Sequence, residues 1–357
     1  MAKLAIIFGA GASYDFLPTY PPSNPSDHLR DYRIPLADQL FENRAEFADI
    51  ASKLRRLRPI LPGLRHRSGN RSVEEVLEEL RSLEKNHPYW PRRQRELTSI
   101  RFYLQQAIWS SEIAMLGHAA GLSNYITLIG YIEQFRRSKE PVIFITFNYD
   151  TLIERAFSCH FDDFSFKAIN DYIRRPNYKL FKLHGSVNWG NPIVEDARLD
   201  VRQPIEHIRE SLIELSDSIQ SDSDQFVVLN EPRVVVSEWV YFPAISIPVQ
   251  TKSHFSCPRD WLAPLEIFLD GVSNLLVIGW RGSEEHFLKR VVPVLNKNAD
   301  LQLSIVSATE PSAKETQARL EAAGLKPARV WIYSGGFSNF ILSDDVKIFL
   351  RRGGDVV

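Results

Sequence analysis

Four apolar runs in this chain each stop abruptly at small or polar residues, and that repeated shape admits few folds. Lys3-Leu4-Ala5-Ile6-Ile7-Phe8 enters Gly9-Ala10-Gly11-Ala12-Ser13, and Pro141-Val142-Ile143-Phe144-Ile145-Thr146 enters Phe147-Asn148-Tyr149-Asp150. Lys179-Leu180-Phe181-Lys182-Leu183 enters His184-Gly185-Ser186, and Asn274-Leu275-Leu276-Val277-Ile278 enters Gly279-Trp280-Arg281-Gly282-Ser283. Continuous hydrophobic runs suggest strands buried on both faces, and ligands of open parallel sheets bind beyond the carboxyl ends of such strands. Gly9 and Gly11 lack a Cβ, so the backbone there can take positive φ and aim N–H groups at a diphosphate as a helix begins. The third glycine of the usual dinucleotide fingerprint is missing, with Tyr14 in its place, so the turn alone also fits a strand-to-helix connection without ligand.

The 357 residues are 44% hydrophobic, enough for a large core, and their net charge of −1 excludes a global basic field of the kind that dominates nonspecific nucleic-acid binding. Cys159 and Cys257 lie too far apart for a paired Cys-x-x-Cys zinc site and fit a reducing cytosol. No metal is expected. The start of the chain faintly resembles a secretory signal, but its apolar stretch is short and glycine-interrupted, and a strand with a turn explains it better. No run approaches the roughly 20 apolar residues of a membrane helix, and a cytoplasmic location is expected.

A proline-rich loop over Pro18 to Pro25 breaks any helix after the first turn. Periodicity then turns helical, as at Val73 to Leu80, Ile100 to Leu116 and Tyr125 to Phe135, which predicts a helical insertion over 36–140. From Pro141 strands and helices alternate, the helices being Thr151 to Phe157, Pro264 to Leu269, Glu284 to Leu295 and Ser312 to Ala323. Leu301 to Val306 and Ala328 to Tyr333 supply further strands, and Gly335 and Gly336 follow the last. The pattern is α/β: a Rossmann-like, doubly wound parallel sheet from 1–35 and 141–357, with the large helical insertion after the first strand. Residues 190–255, with a helix-like stretch over Ile205 to Ile219, a Ser/Asp linker and short β-like runs at Phe226 to Leu229 and Val234 to Ser237, read as a second, smaller insertion in the one domain.

In order along the chain, Gly-Ala-Gly-x-Ser after the first strand, Thr-Phe-Asn-Tyr-Asp, Leu-His-Gly-Ser and Val-Ile-Gly-x-x-x-Ser resemble the sirtuin-like domains of prokaryotic antiphage defence. The resemblance implies a cleft for NAD in which Asn148 and Asp150 position the nicotinamide ribose or the attacking water and His184 acts as base. It implies cofactor contacts from Gly9, Ala10, Gly11, Ala12 and Ser13, from Tyr20 and Pro21, and from Gly185, Ser186, Gly279 and Ser283. Ser307 would face the adenosine ribose, and Gly335 and Gly336 the adenine. The residue types suit glycosidic cleavage, in which positive charge builds on the ribose as water attacks the anomeric carbon. A four-cysteine zinc module is absent, and Thr19-Tyr20-Pro21-Pro22 stands where protein deacylases carry Gly-Ile-Pro-Asp-Phe-Arg. These departures favour NAD+ hydrolysis to nicotinamide and ADP-ribose over deacylation or ADP-ribosyl transfer, with a noncatalytic NAD-sensing subunit as a third reading.

Plainer roles stand beside these. Asp150 suits capping of the following helix, Ser283 suits an N-cap as well as a phosphate contact, and His184 could be a hydrogen-bonded core histidine. Trp189, Trp280 and Phe337 read as packing residues, and Cys257 as a buried inert thiol. The basic clusters Arg55-Arg56-Arg58, Arg65-His66-Arg67, Arg92-Arg93-Arg95 and Arg136-Arg137-Lys139 read as solvated or salt-bridged faces more than as a DNA surface. With no clear sensor segment after the sheet, control is expected from a homo-oligomer built by the helical insertion or from a separate partner. By resemblance that partner would be a HerA-like ATPase or a short Argonaute.

Overall fold

The computed structural model describes residues 3–23, 28–66, 71–135, 140–194, 196, 198–219, 224–249 and 255–352. Its strands in chain order are β1 (Leu4–Phe8), β2 (Val142–Thr146), β3 (Tyr178–Lys182), β4 (Gly185–Pro192), β5 (Val227–Val228), β6 (Val235–Val236), β7 (Trp239–Ile245), β8 (Asn274–Ile278), β9 (Gln302–Val306) and β10 (Arg329–Tyr333). Six of them form one parallel sheet in the order β10-β9-β8-β1-β2-β3. The chain leaves β1 toward β2 and β3 on one side and later fills β8, β9 and β10 on the other. Strand order therefore reverses at the β1/β8 boundary, where an open α/β sheet offers a crevice. The expected doubly wound sheet is present.

β2 and β8 are buried along their whole length, which is why their sequences show no polar alternation. Lys182 breaks that rule inside β3. Its ammonium, with a fully buried side chain, meets Glu154 Oε1 at 2.8 Å and also donates to the Asp150 carbonyl. Tyr172 Oη donates to the same Glu154 oxygen (3.1 Å) and accepts from Trp189 Nε1 (3.0 Å), so a charged pair is satisfied largely by neighbours inside an aromatic shell.

Helices of the 36–140 stretch are Ala45–Ser52, Leu61–Arg65, Val73–Arg81, Trp90–Leu116 and Asn124–Phe135. The Val73–Arg81 helix begins with a capping box between Ser72 and Glu75. The fourth starts ten residues before the expected Ile100, because its first turns carry charge rather than apolar periodicity. Asn124–Phe135 lies on the sheet itself: Asn124 N–H donates to the Phe16 carbonyl at 2.8 Å and the Tyr125 ring sits 5.1 Å from that of Phe8.

Beyond β3 the chain builds a second sheet, β5-β4-β7-β6, in which β4 and β7 run antiparallel with an irregular register between Gly185 and Gly190. The expected small insertion is thus more strand-rich than its periodicity suggested, and it begins earlier, directly after His184. Its helix, Ile205–Leu215, answers the basic clusters. Glu214 pairs with Arg55 (2.6 Å) and Arg56, and Arg95 Nε reaches Asp217 at 3.1 Å. Glu96 binds both Arg92 and Arg93. Arg67, Arg136, Arg137, Lys139 and the Ser/Asp linker at 220–223 lie outside the described residues. No helix among the described residues is long and apolar enough to cross a membrane.

Candidate functional site

Register places the four strand ends at one level. Phe8 pairs with both Thr146 and Ile278, and Thr146 with Lys182, so Gly9, Phe147, Leu183 and Gly279 all begin the same carboxyl-end rim. One half of this rim is made of backbone. Gly9 N–H donates to the Ile278 carbonyl (3.1 Å), Gly11 N–H to the Gly279 carbonyl (3.0 Å), and Ala12 N–H back to the Gly9 carbonyl (2.9 Å). Gly279 sits at φ +61°, and a Cβ there would fall 2.3 Å from Ala12 N. The glycines serve close packing of two loops, and these three amides are already bonded within the protein. Ala10 remains exposed and Gly11 and Gly279 half-buried, so this edge faces solvent.

The other half is made of side chains. Asn148 Nδ2 donates to the Gly9 carbonyl (2.9 Å) and to Ser13 Oγ (2.8 Å), which ties the end of β2 to the β1 turn. Tyr125 Oη lies 3.0 Å from Ser13 Oγ, the same hydroxyl that accepts from Asn148 Nδ2. Burial, and then the Asp150 charge, hold that phenol well above its usual pKa, so it stays a neutral hydroxyl. Asp150 Oδ1 accepts Leu152 N–H at 3.2 Å, but the N-cap of the Leu152–His160 helix is Thr151, so Asp150 bonds the first turn from one position ahead of the cap its plainer reading assigned it. Beside it the fully buried Glu112 accepts from Thr151 N–H (2.9 Å), Thr151 Oγ1 and Arg155 Nε (2.7 Å). Burial and the Asp150 charge raise its pKa.

His184 follows β3 with its ring 4.9 Å from Phe147 and 6.3 Å from Tyr149, and only 1% of its surface is exposed. Gly185 turns the chain from there into the second sheet at φ +81°, where a Cβ would fall 1.9 Å from the Ala244 carbonyl oxygen. Only glycine fits that corner, which accounts for the His-Gly pair. Ser186 Oγ donates to Asn188 Oδ1 at 2.7 Å. Asn148 and His184 therefore each lie two residues beyond the paired Thr146 and Lys182, Asn148 bonded to the glycine turn and His184 set against the Phe147 ring.

Farther along, Gly336 N–H donates to the Ser307 carbonyl (2.9 Å) and Gly335 N–H to that of Ala308 (3.2 Å), which brings Ser307, Gly335 and Gly336 together beyond β9 and β10. Asp15 joins this group to the β1 turn. Its carboxylate accepts Ser338 N–H (2.9 Å) and Ser338 Oγ (2.5 Å), and burial pushes its pKa up to about 6 against those bonds and the Arg33 charge. Arg33, fully buried, donates to the carbonyls of Tyr14 (2.8 Å) and Tyr20 (2.6 Å), and so draws Tyr20 and the adjoining Pro21 onto the end of the first helix. Ser283 lies exposed, 3.2 Å from Glu284 Oε2. The helix behind it starts at Glu285 with Glu284 as N-cap, so Ser283 does not cap it.

Sequence reasoning missed Asp15, Arg33, Tyr125 and the Lys182–Glu154 pair, whose partners stand far away in the chain. Phe147, which pairs with Trp280 as near-parallel rings 5.2 Å apart, closes the inner wall, so Trp280 packs, as do Trp189 and Phe337. Burial pushes the Cys257 thiol up to about 12, which makes it a poor nucleophile. Among the described residues no group of His, Cys, Asp or Glu could hold a metal ion.

Residues 142–223 match the family model described as a SIR2-like domain, a span that contains Asn148, Asp150, His184, Gly185 and Ser186. Over this segment the chain is similar to SIR2-like domains. No curated protein matches it by sequence. Among solved structures, a mutant Sir2 homologue in complex with 2'-O-acetyl ADP ribose is 12% identical with a TM-score of 0.40, over 99% of this chain and 93% of that one. A sirtuin structure on the basis of substrate affinity is 14% identical with a TM-score of 0.34, over 99% and 94%.

Proposed function

We propose that this protein hydrolyses NAD+ to nicotinamide and ADP-ribose. The reading rests on one observation: Asn148 and His184 each follow the paired ends of β2 and β3, inside the SIR2-like segment, with Asn148 bonded to the glycine turn at the sheet's switch point. NAD+ would lie along the rim with its adenosine toward Ser307, Gly335 and Gly336, its diphosphate near Gly11 and its nicotinamide ribose toward Asn148. The C1'–N bond breaks, its electron pair neutralises the pyridinium nitrogen, and water oxygen bonds C1'. His184 accepts the proton released from that water, and Asn148 fixes the ribose or the water through its amide. Because His184 is almost fully enclosed, the corner at Gly185 has to open for each turnover.

In the cell such an activity would drain the NAD+ pool, which suits an effector of antiphage defence held in check by a homo-oligomer or a separate regulator. Purified protein incubated with NAD+ should release nicotinamide and free ADP-ribose without any acylated or protein acceptor. Asn148→Ala and His184→Ala should each lower the rate at least about 100-fold, the low end for loss of an acid–base group, with an unchanged circular dichroism spectrum. Strict dependence on an acceptor, or NAD+ binding without cleavage, would overturn the reading.

A further inference from the structure

Away from the rim, a cleft of about 240 Å³ opens between the Trp90–Leu116 helix and the chain that follows β7. Arg81, Trp90, Arg93, Arg101, Ser246 and Ser256 are in its wall. Its charge is unbalanced. Arg93 (2.7 Å) shares the single carboxylate of Glu96 with Arg92 (2.9 Å), so one anion answers two cations. The Nε of Arg101 is buried with no hydrogen-bond partner among the described residues. Burial, and then the like charge of Arg81, lower the pKa of that guanidinium, so the fold itself does not neutralise it. Lys85 Nζ, 6.0 Å over the Trp90 ring, adds a cation nearby.

A guanidinium left without an anion in a secluded wall is costly, and a bound anion relieves that cost. We infer that the cleft is a binding site for a phosphate-bearing small molecule of nucleotide size, with the phosphoryl group on Arg81 and Arg101 and its apolar face on Trp90. Two guanidiniums lining one cleft suit the roughly −1.5 to −2 charge of a phosphate ester better than a single carboxylate, and a guanidinium can bind its oxygens in pairs. An indole wall suits a nucleobase.

The wall is also joined to the rim. Ser246 N–H donates to the His184 carbonyl (2.9 Å), Ser256 N–H donates to the Leu183 carbonyl (3.0 Å), and the two serine hydroxyls lie 2.8 Å apart. An occupant therefore bears on the backbone that carries His184. That regulatory consequence rests on the NAD+ reading; the binding site does not.

The test is calorimetry on the full chain with inorganic phosphate, AMP and ADP-ribose. AMP and ADP-ribose should bind, with the Kd of AMP raised at least about tenfold by Arg101→Met and unchanged by Asn148→Ala, and with an Arg101-dependent ADP-ribose binding step that persists in Asn148→Ala. Binding of phosphate as tight as that of AMP would overturn the nucleotide assignment. So would binding insensitive to Arg101→Met, binding lost only in Asn148→Ala, or no binding at all. Should Arg101→Met fail to fold, Arg81→Gln, at an exposed position, should weaken AMP at least about tenfold, and unchanged AMP affinity in that variant would overturn the site. If AMP binding follows the arginines while NAD+ is never cleaved, this site stands and the hydrolase reading falls.

Discussion

The two halves of the sheet's rim are built from opposite materials. At β1 and β8 the chain packs backbone against backbone, with Gly9, Gly11 and Gly279 close enough that no side chain would fit. At β2 and β3 the same level is filled by side chains, among them the candidate site residues Asn148 and His184, held by neighbours such as Ser13, Tyr125 and Phe147. The backbone half fixes position, and the side-chain half holds the proposed reactive groups against that reference. Asn148 Nδ2 on the Gly9 carbonyl is the joint between them.

If the backbone half is rigid in this sense, Gly279→Ala should have the largest effect. It meets three backbone atoms of Gly11 and Ala12 within 2.3–2.7 Å at a left-handed φ, and the added strain and overpacking should cost about 5 kcal/mol in urea unfolding. A loss under about 1 kcal/mol would mean that the two loops are free to part. On the side-chain half, Lys182→Met leaves Glu154 charged and buried, and should cost about 4 kcal/mol. Adding Glu154→Gln should return much of it, a recovery absent if the pair contributes nothing.

The smallest effect concerns Asp15, which links the β1 turn to Gly336. Its carboxyl titrates near 6 in the folded chain and near 4 when unfolded, so the folded state binds the extra proton between those values. Stability from this group is fully present below pH 4, falls as pH rises to about 6 and is flat above. The difference between wild type and Asp15→Asn should change over that window by about 3 kcal/mol at most, read from melting curves at pH 4, 5, 6 and 7. A constant difference would show that the carboxyl is not strained by burial.

Much of the backbone half was legible in the sequence. Strands buried on both faces must be apolar throughout, and a loop that touches another loop must be glycine, so both leave marks at single positions. Asn148 and His184 were visible for a related reason, since each follows an apolar run that ends abruptly. The supporting shell was not legible. Ser338 grips Asp15 from 323 positions away, and Tyr125 reaches Ser13 from 112 away, contacts that no local pattern encodes. Lys182 passed as a member of an apolar run, because nothing near it in sequence announces Glu154 and Tyr172. The second sheet was obscured by Gly190, Pro192 and Pro243, which break the alternation by which β4 and β7 would have been recognised.

The enclosure of His184 has a consequence for how an idle molecule behaves. With the Phe147 ring against the imidazole, Tyr149 nearby and the Gly185 corner close under Ala244, a resting copy would, under the hydrolase reading, keep its proposed base behind a shut door. Under the hydrolase reading, background consumption of the dinucleotide would be metered by how often that door swings rather than by bond-breaking. A cell could then store many copies at little metabolic risk, and whatever unlatches the corner would release them all at full speed.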